Sequence, residues 1–448
     1  MGFFMTNFFN RLKNLDVHFK EVLLQSSSTI IIQIVGISAR LVTSIILGRI
    51  LGASGLGEVN LINQIITIVM VLSMFGMDHV LVKKIAIGNS NNESIIIGNS
   101  IYTALILNVF ISILITVIGV YGSSFIASFF NNSELEIPLI ISFIVIVPQT
   151  ISSVFISGIN GYRKIWQSRF LKDFLTSLIV LIGIGFYFFL NIEISLISII
   201  FLYALGRIVT FFITTIYWKK LYNPIYKKSF FDRTMLSMAV PLLFVSSTTL
   251  LSSSVDVLML GWLSDSSKVG LYTVASRLVL FIAFFLQITN AAISPKLANF
   301  FDKNQLKEMN ILVKQVTLWL FIIGFVSMLF FVCFGSAILE LWGYEFSAAY
   351  ICLIILSVGQ FINISTGCSG VLLIMGGHEK IFSYISGAFL LLNIILNYLL
   401  ITKYNEVGAA IATAGTIIGE NIIRVVIAKQ RTGVLTIPVG LFSKGNKY

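Results

Sequence analysis

Charged side chains are scarce in this sequence. Asp, Glu, Lys and Arg make up only 11% of its 448 residues, whereas hydrophobic residues make up 57%. An ordinary soluble domain contains about 25% charged residues, so this chain has too few of them to solvate a compact body of its size. The composition excludes large soluble domains, such as a nucleotidase or a receptor ectodomain, and favours a protein embedded in a lipid bilayer.

Cysteine and histidine are also rare. Only three of each occur, and these are Cys333, Cys352, Cys368, His18, His79 and His378. The cysteines lie in apolar segments at spacings that fit neither a metal site nor an obvious disulfide bridge, so we interpret them as small packing residues. Because no cluster of His, Cys and carboxylate residues indicates a metal site, no cofactor is expected.

Long apolar runs are abundant instead. Segments of about 20 residues, each long enough to cross a hydrocarbon core of roughly 30 Å, recur along the whole chain. They predict an all-α polytopic membrane protein with twelve transmembrane helices, at about 28–48, 59–82, 95–120, 137–159, 171–190, 195–217, 235–260, 270–293, 312–333, 349–374, 382–402 and 407–428.

Lysine and arginine predict the orientation of these helices, because basic residues gather in cytoplasmic loops. If the amino terminus is cytoplasmic, almost all of the basic residues in the connections lie on that side. Only Arg49, Lys268 and Lys403 then lie outside. Both termini are therefore predicted to be cytoplasmic. The net charge of +11 follows from these connections, and no nucleic-acid partner is expected.

A basic cytoplasmic linker, 218–233, divides the predicted helices into two lobes of six spans. The N-lobe covers 28–217 and the C-lobe covers 234–428. An amphipathic cytoplasmic segment, 1–27, precedes them, and a cytoplasmic tail, 429–448, follows.

An internal repeat relates the two lobes. Gly48 and Gly57 recur at one constant offset as Gly261 and Gly270. Because each lobe has an even number of spans, the two copies share one orientation, and the repeat predicts a pseudo-twofold axis along the membrane normal. Parallel repeats with a binding site between them are typical of transporters.

Six ionisable residues fall within the predicted spans: Arg40, Arg207, Asp256, Arg277, Glu420 and Arg424. Each costs about 2.5–3.5 kcal/mol to insert into lipid, so these residues should face one another, water or a ligand. Glu420 and Arg424 lie one turn apart with the acid first, which predicts an intrahelical structural pair.

The three remaining arginines have no acidic residue within one helical turn. Arg40, Arg207 and Arg277 therefore predict a water-filled cavity that binds an anion, and interhelical structural bonding is the alternative. By the repeat offset, Gln64 corresponds to Arg277. We expect this amide to face the guanidinium from the opposite lobe and to line the same cavity.

A second polar group lies in the C-lobe. Asp256 is expected on the seventh span, Asn393 and Asn397 on the eleventh, and Thr416 on the twelfth. Oxygen ligands of this kind suit a small hard cation. Two alternatives stay open: Asp256 as a charge at the rim of its span, and the amides and hydroxyls as bonds between neighbouring helices.

Parts of the first predicted hairpin resemble polysaccharide exporters, which are lipid-linked oligosaccharide (O-antigen type) flippases of the multidrug/oligosaccharidyl-lipid/polysaccharide (MOP) superfamily. The resemblance rests on Gly48-Arg49-Ile50-Leu51-Gly52, Gly57, Phe75-Gly76-Met77 and Leu81-Val82-Lys83-Lys84-Ile85-Ala86. It implies a flippase that moves oligosaccharides on undecaprenyl diphosphate to the outer leaflet, by alternating access, for O-antigen or capsule synthesis.

The resemblance also implies roles for single residues. The gap for the polyprenyl tail would lie at the spans that carry Arg40 and Arg277, and Asp256 would couple transport to H⁺ or Na⁺. Implied partners are the lipid-linked oligosaccharide, membrane lipid, and the polymerase and chain-length proteins of the same pathway. A monomer in the inner membrane is expected.

Two other functions compete with this interpretation. An exporter of drugs or organic cations would share the layout, but its cavity should carry acids and aromatics rather than arginines. A membrane-embedded polysaccharide polymerase should carry catalytic residues on a long outer loop, whereas the longest predicted outer connections, about 121–136 and 334–348, hold glutamates but no basic residue. We therefore expect a transporter and not an enzyme.

Overall fold

The computed structural model describes residues 17–222 and 230–437, and all regular secondary structure in these two ranges is helical. Most of the predicted segment 1–27, the middle of the linker and much of the tail lie outside the described residues. The α-helices are α1 Val17–Met74, α2 Met77–Ser90, α3 Ser94–Tyr121, α4 Ser123–Phe129, α5 Glu136–Ile144, α6 Ile146–Gly161, α7 Ile165–Arg169, α8 Leu175–Phe189, α9 Leu196–Leu221, α10 Thr234–Leu263, α11 Ser266–Asp302, α12 Leu306–Leu339, α13 Tyr350–Ser365, α14 Ser369–Met375 and α15 Glu379–Thr432.

Three short helices of other types connect these elements. Ser133–Leu135 and Tyr344–Ala349 are 3₁₀ helices, and Phe170–Phe174 is a π-helix between α7 and α8.

The longest helices, α1 and α15, are each broken once. They contain 58 and 54 residues, which at about 1.5 Å per residue is far longer than a bilayer is thick. The backbone leaves the helical region at Gly52 (φ 68°) and at Asn405 (φ 49°). Glycine and asparagine tolerate this left-handed conformation better than other residues do.

Eight helices of the described chain are long and apolar enough to cross a membrane, and up to ten if each of two bent pairs is one span. The bent pairs are Ser133–Ile144 with Ile146–Gly161 and Thr234–Thr248 with Leu250–Leu263. The predicted span 59–82 is not one straight helix, because the chain breaks at Phe75 and Gly76, where both φ angles are positive. The eighth predicted span, 270–293, is longer than expected, since α11 continues to Asp302.

The chain forms two compact units. Unit 1 consists of the described parts of Met1–Ile46, Ile65–Ser128 and Asn132–Thr249, and unit 2 consists of Leu47–Gln64, Phe129–Asn131 and the described parts of Leu250–Tyr448. These units do not follow the predicted lobes throughout. The middle of α1 packs with unit 2, and the first half of α10 packs with unit 1.

Each unit has its own apolar core. In unit 1, Met77, Leu81 and Ile85 recur every four residues on one face of α2 and are buried together with Val154 and Ile159 of α6. This spacing places an apolar stripe on one side of the helix. In unit 2, the residues that share a core are Leu297 of α11, Met309 and Val313 of α12, Leu372 of α14 and Ala428 of α15.

Candidate functional site

The carboxylate of Asp256 is the centre of a polar network in unit 2. Its Oδ1 accepts a hydrogen bond from Asn397 Nδ2 at 2.7 Å. Its Oδ2 accepts from the hydroxyls of Tyr272 and Thr413, each at 2.7 Å. Three helices supply these groups: α10 carries Asp256, α11 carries Tyr272, and α15 carries Asn397 before its break and Thr413 after it.

The network continues along α15. Asn397 Nδ2 also donates to Asn393 Oδ1 at 2.9 Å, and Asn393 Nδ2 donates to Thr416 Oγ1 at 3.3 Å. Asn397 and Thr416 are buried. The structure therefore links all four residues that the sequence grouped as ion-coupling candidates.

Three donors satisfy the carboxylate of Asp256, and both of its oxygens act as acceptors in these bonds. In contrast, the buried Asn397 Oδ1 has no hydrogen-bond partner among the described residues. A small cation that approached the carboxylate would find this oxygen, Asn393 Oδ1 and the threonine hydroxyls close by, and such oxygens are the ligands that hard cations prefer. Sequence reasoning did not include Tyr272, because nothing in a lone apolar-segment tyrosine indicates a bond to an acid sixteen residues earlier.

Arg277 has an amide partner in unit 2. Its Nη2 donates to Asn60 Oδ1 at 2.6 Å, and Asn60 is buried. Gln64, one turn further along α1, instead donates to Ser254 Oγ. The amide that contacts this guanidinium is therefore Asn60, which the sequence did not single out, and not Gln64.

Arg40 lies in unit 1 and is not unpaired, contrary to the expectation from the sequence. Its Nη1 donates to the main-chain oxygen of Asp173 at 3.0 Å, and it lies 4.0 Å from the carboxylate of the same residue. The sequence concealed this partner because it is 133 residues away. Arg207, also in unit 1, is buried at 9% exposure within α9.

The Glu420 and Arg424 side chains form an ion pair on α15. Arg424 also donates to Ser386 Oγ at 2.9 Å, and its guanidinium lies 4.4 Å from the centroid of the Phe382 ring. This arginine is thus fixed by a carboxylate, a hydroxyl and an aromatic face, which favours a structural role.

Two buried carboxylates were missed by sequence reasoning. Glu406 is 7% exposed and accepts from Lys268 Nζ at 3.1 Å, and Glu58 is 6% exposed. Both were placed in connections between the predicted spans, where charges are expected. The close pairing of Glu406 with Lys268 follows from packing in unit 2 and has no signature in the local sequence.

Outside the spans, Asp232 fixes the end of the linker in unit 1. Its Oδ1 accepts from the Thr234 hydroxyl at 2.6 Å and main-chain nitrogen at 3.0 Å, and its Oδ2 accepts from Lys84 Nζ at 3.0 Å. These bonds, led by that from the Thr234 hydroxyl, lower the pKa of Asp232 below its usual value despite partial burial.

Two family models match the sequence. Residues 22–301, more than half of the chain, match the family described as polysaccharide biosynthesis protein, and residues 241–399 match the family described as MatE.

Two relatives are similar in sequence. The chain is 26% identical over 379 residues to the probable low-salt glycan biosynthesis flippase Agl15 of Haloferax volcanii, and the alignment covers 82% of this chain and 75% of Agl15. It is 26% identical over 175 residues to the capsular polysaccharide biosynthesis protein CapF of Staphylococcus aureus, and this alignment covers 39% of this chain and 44% of CapF. The chain therefore matches less than half of the length of CapF.

Solved structures show the same fold. A multidrug resistance MATE family transporter of the MOP superfamily, in an inward-facing conformation, is similar with a TM-score of 0.72 at 14% identity, over 89% of this chain and 94% of that one. The lipid II flippase MurJ is similar with a TM-score of 0.69 at 16% identity, over 91% of this chain and 87% of MurJ. At these identities the likeness establishes the fold alone. None of these neighbours is named as an enzyme.

Proposed function

Because the chain belongs to the polysaccharide biosynthesis protein family, we propose that it is a flippase for lipid-linked oligosaccharides. Its substrate is an oligosaccharide repeat unit on undecaprenyl diphosphate, moved from the cytoplasmic to the outer leaflet for O-antigen or capsule synthesis. The observation that carries this proposal is the family match over residues 22–301, together with similarity over 82% of the chain to a protein named as a glycan biosynthesis flippase.

The positions of the arginines support the substrate class. Sugars and a diphosphate cannot enter hydrocarbon unaided, so the protein must supply a hydrated and cationic path, while the polyprenyl tail stays in lipid. Arg40 is exposed and Arg277 is partly buried, and each lies within an apolar stretch of its helix. A guanidinium binds phosphate oxygens through paired, charge-assisted hydrogen bonds. We assign diphosphate binding to Arg40 in unit 1 and to Arg277 in unit 2, each in turn during the transport cycle. Arg207 of unit 1 and Gln64 of unit 2 are secondary candidates for contact with the substrate.

The proposed topology has twelve spans in the inner membrane, with both termini in the cytoplasm. It follows if α1 and α15 are each divided at their breaks, Gly52 and Asn405, and each bent pair is one span. The strong bias of Lys and Arg to one set of connections supports this orientation.

We assign the Asp256 network to ion coupling. Binding of H⁺ or Na⁺ at Asp256 would replace donors that now come from Tyr272, Thr413 and Asn397, and so would change how α10, α11 and α15 are held together. A bound ion can shift a conformational equilibrium only by its difference in affinity for the two states. The Asp256 carboxylate accepts hydrogen bonds from both sides of the Asn405 break, so its affinity for an ion should depend on how the two parts of α15 are arranged.

Transport by the purified protein in proteoliposomes tests the proposal. The substrate is a fluorescent lipid-linked oligosaccharide, and a membrane-impermeant lectin reports which leaflet holds the sugar. We expect translocation that depends on the protein, whereas protein-free liposomes should show none. Export of an organic-cation dye without any glycan translocation would favour the drug exporter.

A further inference from the structure

Two arginines of unit 1 converge on one carboxylate. Asp173 Oδ1 lies 4.0 Å from Arg40 Nη1, and Asp173 Oδ2 lies 3.6 Å from Arg169 Nη1. Arg40 comes from α1 and Arg169 from the end of α7, so the two guanidiniums reach the carboxylate from different helices. The cluster contains two positive charges and one negative charge.

The π-helix Phe170–Phe174 places Asp173 in this position. Single π-helical turns are rare and occur frequently at functional sites. Here the main-chain oxygen of Asp173 accepts a hydrogen bond from Arg40 at 3.0 Å. One turn before Arg40, Gly36 faces the same oxygen at ordinary contact distance, since a Cβ atom at this position would lie 3.6 Å from it. Arg40 is thus held through the backbone, and a guanidinium has five N–H donors.

The carboxylate holds the two arginines only loosely. Charge-assisted bonds between a guanidinium and an oxyanion are about 2.7–2.9 Å long, whereas the two contacts here are 3.6 and 4.0 Å. Both arginine side chains are 48% exposed. A ligand with more negative charge and more oxygens than a carboxylate can therefore reach both guanidiniums and displace Asp173 from them.

We propose that Arg40, Arg169 and Asp173 form a docking site for a diphosphate group, in which Asp173 is the internal anion that the ligand displaces. This inference rests on the proposed function and adds to it Arg169, a second arginine beside Arg40 in unit 1, and a positioning residue, Asp173. Asp173 keeps the arginines close together before the ligand arrives. A neutral headgroup should not displace Asp173, because it brings no negative charge to compensate the two guanidiniums.

Binding to the purified full-length protein tests the site with two probes, inorganic pyrophosphate and farnesyl diphosphate in detergent micelles. Arg169→Ala should weaken binding, whereas Lys172→Ala, which removes an exposed charge from the same π-helix, is the matched control and should change it little. Asp173→Asn should strengthen binding roughly two- to fivefold, because it removes a competing, weak ion pair. A gain of affinity cannot result from misfolding.

Stronger binding of the Asp173→Asn variant to farnesyl diphosphate identifies a lipid headgroup as the ligand, and stronger binding to pyrophosphate alone identifies a soluble diphosphate. Weaker or unchanged binding of this variant to both probes would overturn the proposal, as would equal losses in Arg169→Ala and Lys172→Ala. If that happens while the wild-type protein still translocates lipid-linked oligosaccharide, the proposed function stands without this site. A wild-type protein that transports no such lipid contradicts the proposed function itself.

Discussion

Gly57 and Gly270 pack directly against each other in unit 2. A Cβ atom on Gly57 would lie 2.9 Å from the main-chain nitrogen of Gly270, and one on Gly270 would lie 3.2 Å from that of Gly57. These two glycines occupy equivalent positions of the sequence repeat. A local twofold relation in which each helix presents its glycine to the other accounts for both contacts.

This close approach predicts a large effect of a single methyl group. A Cβ on Gly57 would lie 1.8 Å from the Ser266 carbonyl oxygen, and a backbone oxygen cannot rotate away. Gly57→Ala should therefore destabilise the protein by about 1–3 kcal/mol or more through overpacking. Thermal unfolding in detergent measures this change.

Gly415→Ala is the matched control, since a Cβ there would have no neighbour within 4 Å. It should leave the melting temperature unchanged or raise it, because alanine stabilises a helix by roughly 1 kcal/mol relative to glycine. Equal effects of the two substitutions would show that the contact between α1 and α11 is loose.

Asp256→Asn tests ion coupling. The amide removes the charge and turns one acceptor into a donor that faces the hydroxyls of Tyr272 and Thr413. We expect substrate binding to be retained and stimulation by an imposed proton or sodium gradient to be lost. Asp265→Asn, an exposed acid at the start of α11, is the control and should keep that stimulation. If a gradient still accelerates transport by the Asp256→Asn variant, Asp256 is only a structural hydrogen-bond acceptor.

The pair of partly buried Lys268 and buried Glu406 should behave as a coupled unit. Lys268→Met leaves a buried carboxylate without its cation, so it should lower the free energy of unfolding by roughly 1–3 kcal/mol. Glu406→Gln in the same chain removes the stranded charge and should recover much of the loss. Additive effects in this double-mutant cycle would mean that the two side chains do not interact.

Asp232 makes stability depend on pH in acid. Its pKa in the folded protein lies below its unfolded value of about 3.9, so its contribution is fully present above that value and is lost as the pH falls through the folded pKa. Asp232→Asn should therefore lower the melting temperature at pH 7 by an amount that corresponds to about 1 kcal/mol or less. The difference from wild type should shrink as the pH falls below about 3.9 and through the lower folded pKa. A difference that stays constant in acid would exclude the carboxylate as its origin.

Sequence patterns predict that this protein is all-helical and that Asp256 groups with Asn393, Asn397 and Thr416. Both features are predictable because hydrophobicity and residue chemistry are local properties. The repeat likewise pairs Gly57 with Gly270, and these two glycines are in contact in the structure. Whether the Asp256 group binds an ion, and whether the spans number twelve, stay predictions.

Other features depend on tertiary packing that local patterns do not encode. Asp173, which contacts Arg40, lies in a π-helix that the sequence pattern does not predict. The partner of Arg277 is Asn60, one turn before Gln64. Glu406 falls in a predicted connection, and its burial depends on the contact with Lys268, which the local sequence does not indicate.

The central claim, that the protein moves glycans by recognising their diphosphate, is tested most directly by comparing two lipids in proteoliposomes. Both carry the same oligosaccharide and the same polyprenyl chain, joined by a diphosphate in one and by an uncharged linker in the other. The wild-type protein should translocate the diphosphate form about tenfold faster or more, since hydrogen bonds to charged groups are strong. The Arg40→Ala, Arg277→Ala double variant should lose this preference, and Lys403→Ala should keep it. Equal rates for the two lipids in the wild-type protein, or an undiminished preference in the double variant, would contradict the account.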